Sequence, residues 1–323
     1  MPRVSEHFAL GLTQPALDFV DVDVVGDVPL FVDPRAIERL DSDWGQECLD
    51  LLRDFFERVL AAIRDGREAD GLRLLAGLGE PNETHLGFST KRAKGSGVGK
   101  GLAYELWTAL SQSQAGRTGL LQHLEDTALL IEGVNIDRVS DIATNIIREP
   151  LIRYTQEQCE LLDIRMEQVG SGPTWDFQTG EWEPERYAML PAGPNGALLF
   201  VPKIIVRKRL DFDPTEYYRK YILTYLIDLE LESPTSALVR TLKSGKKKVY
   251  AKDMDEATTK RYGGVKNAII TITDKNPDLL SNYRADKEKV PDPCAQAGHT
   301  GRVRDGHGPH ARLDEALPGR NIS

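Results

Sequence analysis

Between residues 43 and 63 the apolar positions recur at helical spacing. Trp44, Cys48, Leu51, Leu52, Phe55, Phe56, Val59, Leu60 and Ile63 share one face, the stripe of an amphipathic helix. Ser42 or Asp43 stands where such a helix needs a side-chain cap, and Arg64-Asp65-Gly66 closes it. Cys48 lies within the stripe, which predicts a buried structural thiol. Upstream, LDFVDVDVVGDVPLFVDP alternates apolar and acidic residues with period two. That pattern predicts a front β-hairpin turning at Gly26-Asp27, with Leu30 to Val32 as its second strand and Asp33-Pro34 as a helix entry. Downstream, the spacing predicts short helices over 68–78 and 102–110.

The run Thr127 to Ile131 reads as a buried strand ending at Glu132-Gly133. A helix capped by Asp137 or Ser140 follows, with Ile136, Val139, Ala143, Ile146 and Ile147 as its apolar stripe. Its opposite stripe holds Asp137, Asp141, Thr144, Asn145 and Arg148, either a site or a wetted surface. Pro150 bends or breaks this helix, which resumes through Leu162.

Residues 170–196 are rich in Gly and Pro. Trp175 and Trp182 flank Gln178-Thr179-Gly180 there, as in a hairpin carrying an aromatic pair. ALLFVPKIIV (197–206) predicts a buried strand interrupted at Pro202, and Asp213-Pro214 opens an amphipathic helix bearing Tyr217, Tyr218, Tyr221 and Tyr225. A basic unit then combines a helix over 236–242, a turn at Ser244-Gly245, a strand over 246–250 and helices from Asp253 and from Lys266. The expected class is α+β and helix-rich, with a front hairpin, a central strand–helix unit and a small basic helical or winged unit. The expected division is 1–169, an acidic helix-rich domain; 170–196, an irregular connection; 197–289, a strand plus a basic helical subdomain; and 290–323, a tail too poor in large apolar residues to fold. The tail has the composition of GC-rich DNA translated out of frame, so the native chain is expected to continue differently beyond Lys289.

Composition adds the following constraints. With 323 residues, 40% apolar and 28% charged, the chain is long enough to bury a substantial core. No apolar run approaches the length needed to span a bilayer. The N-terminus does not read as a signal peptide, and three widely spaced cysteines fit a reducing, cytoplasmic setting without membrane partners. The net charge of −9 conceals local asymmetry. Residues 1–85 carry 18 acids against 8 arginines and no lysine, whereas residues 240–266 carry nine bases against three acids. Net acidity therefore does not exclude polyanion binding, which follows local patches.

Two classes of chemistry emerge. Lys91, Arg92, Lys94, Gly97 and Lys100 lie in a Gly-rich loop able to offer backbone N–H groups and cations to a phosphate. Neither a Walker A loop nor GxGxxG is complete there. Lys243, Lys246, Lys247, Lys248 and Lys252 form the second candidate nucleic-acid contact. Among acids, Glu132, Asp137 and Asp141 are candidate catalytic carboxylates, and Asp21 and Asp23 could hold a metal, with Mg²⁺ the ion if the chain is an enzyme. His123, Glu125 and Asp126 add a candidate for acid–base chemistry. The sequence contains no GxSxG, HExxH or CxxC, and no Asp or Glu two residues before any lysine, which counts against most standard hydrolases.

Several segments together resemble a family of bacterial proteins associated with phage-defence and restriction-type settings: DFVDVDVVGDVPLFVDP, EPNETHLGFS, GSGVGKG, LEDTALLIEGVNIDRVSDIATNIIREPLIRYTQ, FVPKIIVR, TLKSGKKKVYAKDM and NPDLLSNYR. The likeness spans roughly residues 8–289. Longer members of that family look like PD-(D/E)xK nucleases in a region this chain lacks, so no catalytic residue carries over. The resemblance implies an involvement with DNA. Three readings follow: a nucleic-acid-binding or regulatory module of a defence nuclease; an interaction scaffold or sensor meeting a protein partner from the same operon; and a Mg²⁺-dependent nuclease built on the carboxylates.

Overall fold

A computed structural model describes residues 2–88, 97–184 and 187–289. The chain is a helix-rich α+β protein organised around one long helix. The short helix α1 (Val4–His7) precedes an extended segment that ends in β1 (Phe31–Val32) and enters α2 (Pro34–Glu38). Asp33 caps α2 by accepting from Arg35 N. The central helix α3 (Asp43–Arg64) starts at the Ser42 cap, whose Oγ accepts from Gly45 N at 3.1 Å. All nine residues of the apolar stripe are buried, Cys48 among them. Each large side chain so buried stabilises the fold by about 1.5–3 kcal/mol.

Helix α4 (Glu68–Leu75) packs back on α3, and α5 (Gly97–Gln112) packs on α4. Gly71 allows that approach, because a Cβ there would sit 1.9 Å from the Trp107 ring. The chain continues through α6 (Gln114–Thr118), α7 (Asp126–Leu130), α8 (Ile136–Ile146) and α9 (Arg148–Leu161). The break between α8 and α9 falls at Ile147, so Pro150 lies in the first turn of α9, where its missing N–H is tolerated. A three-stranded antiparallel sheet follows, in the order β2 (Met166–Gly170), β5 (Tyr187–Gly193), β6 (Gly196–Ala197). The separate hairpin β3 (Thr174–Asp176)–β4 (Glu181–Glu183) pairs Trp175 with Trp182, as the sequence predicts. Both indoles meet Phe55 of α3 edge-on, at 4.9 and 5.6 Å, and Trp182 Nε1 donates to Leu74 O.

Beyond the paired strands β1 and β7 (Val206–Arg207), Asp213 caps α10 (Pro214–Tyr217) by accepting from Thr215 N and Glu216 N. A π-turn over Tyr218–Ile222 leads into α11 (Leu223–Glu232). The exposed hairpin β8 (Arg240–Thr241)–β9 (Lys247–Lys248) and the helices α12 (Ala251–Tyr262), α13 (Val265–Lys275) and α14 (Asp278–Glu288) complete the described chain. No helix among the described residues is long and apolar enough to cross a membrane.

Four sequence expectations need correction. The front hairpin does not form. Residues 18–33 pair with three distant partners instead: Phe19 bridges Pro202, Asp23 bridges Arg3, and Val28 bridges Leu86, while β1 pairs β7. The alternating pattern misleads because both faces are buried, with Asp21 as enclosed as Val20 and Val22. Thr127 to Leu130 of the predicted strand lie in helix α7, every residue of which is buried, and only Ile131, its C-cap, is extended. A short, uniformly apolar run carries no period to separate helix from strand. The helix expected over 236–242 is absent, and Arg240–Thr241 is a hairpin strand closed through Gly245 at φ +80°. Finally, 198–205, between β6 and β7, is mostly buried but irregular. Its amides go to Glu83 O (from Leu199) and Thr155 Oγ1 (from Phe200), and Pro202 leads into a single 3₁₀ turn.

Candidate functional site

Helix α8 presents the central carboxylates. Asn135, rather than Asp137 or Ser140, is its cap, with Oδ1 accepting from Arg138 N at 2.9 Å. This leaves Asp137 and Asp141 one turn apart on a half-buried face. Asp137 accepts from the Phe88 amide, and burial raises its carboxyl above the ordinary range. Gly87 (φ +113°) permits that approach, since a Cβ there would lie 2.9 Å from Asp137 Oδ1. Burial pushes Asp141 up to about 8, and repulsion from Asp137, Glu80 and Asp27 adds to the shift against the opposing Arg138. Burial and its acidic neighbours thus favour the protonated form of Asp141. Asp27 in turn lies 3.9 Å from Nδ1 of the buried His85.

The rest of that helix face is not a wetted surface. Thr144, Asn145 and Arg148 are buried. Asn145 Nδ2 donates to Gly79 O and Asp141 O, both at 2.7 Å. Arg148 pairs with Glu83 and donates to Ser171 O and Asn145 Oδ1 at the floor of a cavity of about 560 Å³. Glu132 stands apart from this group. It is exposed, and its charge acts on Lys266 of α13. Asp21 and Asp23 also diverge. Asp21 accepts from Ser5 N and Ser5 Oγ at 2.8 and 2.7 Å, whereas Asp23 Oδ1 accepts from Val25 N and Gly26 N. Among the described residues no group of three or more His, Cys, Asp or Glu is placed to hold a metal. His123 is pushed down by burial, and the Asp126 beside it caps Gln122 N and His123 N while pairing with Arg284 of α14. Glu125, buried beside Arg35, is pushed up to about 8 by burial and by Asp126. Arg284 lies far along the chain from Asp126, and nothing local in the sequence pairs them.

The basic candidates fall in two places. Lys91, Arg92 and Lys94 lie outside the described residues, and Gly97 to Lys100 form the first turn of α5. Lys243, Lys246, Lys247 and Lys248 all stand exposed on or around the β8–β9 hairpin, and Lys252 opens α12 beside it. Tyr250, 39% exposed, carries Lys248 Nζ 4.8 Å and Arg240 Cζ 5.5 Å from its ring centroid. Arg240 also pairs with Asp253 at 2.7 Å. No ion pair engages Lys243, Lys246 or Lys247 among the described residues. The hairpin thus offers a row of unneutralised cations with an aromatic face among them.

The family model for a domain of unknown function, DUF8370, matches residues 9–213. The chain belongs to the DUF8370 family. No curated protein and no solved structure matches it. The DUF8370 segment contains Asp137, Asp141, Arg148 and the α3 core, and it stops at the Asp213 cap. The cationic hairpin lies wholly outside it.

Proposed function

We propose that this chain is a nucleic-acid-binding module that meets the phosphate backbone through the β8–β9 hairpin. The observation that carries the reading is the exposure of Lys243, Lys246, Lys247 and Lys248 on one tight hairpin without acidic partners. Phosphate contacts of this kind position a protein on a strand without reading its sequence, and their strength follows the release of counterions. Tyr250 supplies a ring beside those cations that a base or sugar can cover. The resemblance to bacterial defence and restriction proteins supports a setting in which such a module delivers or regulates a nuclease. The DUF8370 segment then serves as the scaffold on which the basic unit is mounted.

The test is fluorescence anisotropy with DNA and RNA, single- and double-stranded, over a salt series. The triple variant Lys246→Glu, Lys247→Glu, Lys248→Glu is expected to lose binding and to lower the salt slope by about three, roughly one for each phosphate contact removed. Unchanged affinity in that variant would end the hairpin reading. Mg²⁺-dependent cleavage that disappears in Asp141→Ala would instead favour catalysis at the α8 carboxylates.

A further inference from the structure

Beside the hairpin, α10 and the π-turn face α12 and α13 across a cleft of about 740 Å³. That volume lies within the range of small-molecule sites. Its apolar lining comes from both sides, from the buried Leu223 at the start of α11 and from Ile269 and Val265 of α13, and Val265 remains 37% exposed. Arg219 and Lys252 stand at the rim, both exposed. Arg219 makes no ion pair or hydrogen bond among the described residues, and Lys252 has only a long contact of 3.9 Å with Glu256, both side chains being well solvated. The cleft also holds one acceptor. Asp255 receives the Tyr218 hydroxyl on Oδ1 at 2.7 Å, and its second oxygen makes no hydrogen bond among the described residues. Lys266, which also lines the cleft, donates to Ala128 O of α7 and is drawn by Glu132, so its charge belongs to the helix junction.

We propose that this cleft is a nucleotide-binding site, taking a phosphate at Arg219 and Lys252, a planar base against Leu223, Val265 and Ile269, and a ribose hydroxyl or base amine at Asp255. Each part of a nucleotide finds its chemical complement: anion to cations, ring to apolar lining, donor to carboxylate. An inorganic anion would leave the apolar lining unused, and an uncharged nucleoside would leave Arg219 unused. The site rests on residues separate from the hairpin lysines. It extends the nucleic-acid reading, because the ligand can be a free nucleotide or the phosphorylated end of a strand whose backbone crosses the hairpin.

Calorimetric titration of the full chain with the four nucleoside 5′-monophosphates, the four nucleosides and inorganic phosphate tests the site. Saturable binding of at least one nucleotide is expected, tighter than its nucleoside or phosphate by about tenfold, a difference of about 1.4 kcal/mol. Arg219→Glu should abolish it, and Val265→Trp, which fills the cleft from an exposed position, should do the same without disturbing the melting transition. A 5′-phosphorylated oligonucleotide that outbinds its 5′-hydroxyl twin only when Arg219 is present identifies a strand end as the source. Equal binding of the twins, with free nucleotides still saturating, identifies a free nucleotide. No saturable nucleotide binding, or equal binding in both variants, overturns the proposal. Failure here leaves the hairpin reading intact if the triple lysine variant still loses duplex binding. Failure there leaves the cleft intact if the same variant still binds the mononucleotide.

Discussion

Arg148 and Lys246 to Lys248 show two opposite treatments of positive charge. In the DUF8370 segment the guanidinium is buried and closed in by Glu83, Ser171 O and Asn145. In the unit that follows, the ammonium groups stand in water on a two-strand ribbon with nothing acidic opposite them. Stripping a charge of water is expensive, so a buried one persists only where partners replace the hydration, and those partners leave it little to offer a ligand. An exposed cation keeps its hydration, costs little, and remains available. The same contrast separates the acids. Asp126, fully buried against Arg284, ties α7 to α14, whereas Asp255 keeps one oxygen open to a cleft. Buried charge here fastens elements together, whereas the hairpin lysines remain solvated and take part in no ion pair among the described residues.

The strongest challenge to this contrast is Arg148→Met, which strands Glu83, Asn145 and the Ser171 carbonyl. It should destabilise the fold by about 3–5 kcal/mol, as removal of one member of a buried pair does, and denaturant unfolding measures it. A loss below about 1 kcal/mol would mean that the network is not what holds α9 to the 171–173 segment between β2 and β3. Gly71→Ala drives a methyl group into the Trp107 ring and should cost about 1–3 kcal/mol by the same measurement. At the junction of the two regions, Asp213→Ala removes the α10 cap and should cost about 1 kcal/mol, with Asp213→Asn recovering most of it.

A pH series sharpens the picture for the buried acids. Asp141 and Glu125 are both held up to about 8, well above their unfolded values, so the folded chain binds protons that the unfolded chain releases. Their contribution to stability is complete below the unfolded values near 4 and is lost as pH rises through about 8. The melting temperature should accordingly fall across that interval, and Asp141→Asn should flatten the fall. An unaltered slope in that variant would show that Asp141 is ionised at neutral pH. The smallest expected effect is on the hairpin. Reversing Lys246, Lys247 and Lys248 should change stability by no more than about 0.5 kcal/mol while removing polyanion binding. A large loss of stability there would place those lysines with Arg148, as fasteners.

The elements that could be read in advance are those whose signal is local. The α3 stripe, its Ser42 cap, the Trp175–Trp182 hairpin and the Asp213-Pro214 helix start each depend on residues within a few positions of one another. The candidate site was legible only in fragments. Asp137 and Asp141 meet, as helical spacing requires, yet Glu80, Asp27 and the Phe88 amide join them from loops about fifty residues or more upstream. Glu132, equally close in sequence, turns instead to Lys266.

By itself, then, the sequence determined the helix-rich α+β character, the central helix and the concentration of lysines between 243 and 252. Periodicity, capping and charge density are properties of the chain before it folds. Only the tertiary structure decided that the acidic front segment pairs with Leu86, Pro202 and Val206 instead of with itself, and that Thr127–Leu130 coils instead of extending. It also decided that Asp126 belongs to Arg284. The front segment and Asp126 find most of their partners more than fifty residues away, where no local pattern reaches, and a short run of apolar residues carries no period that would choose between helix and strand.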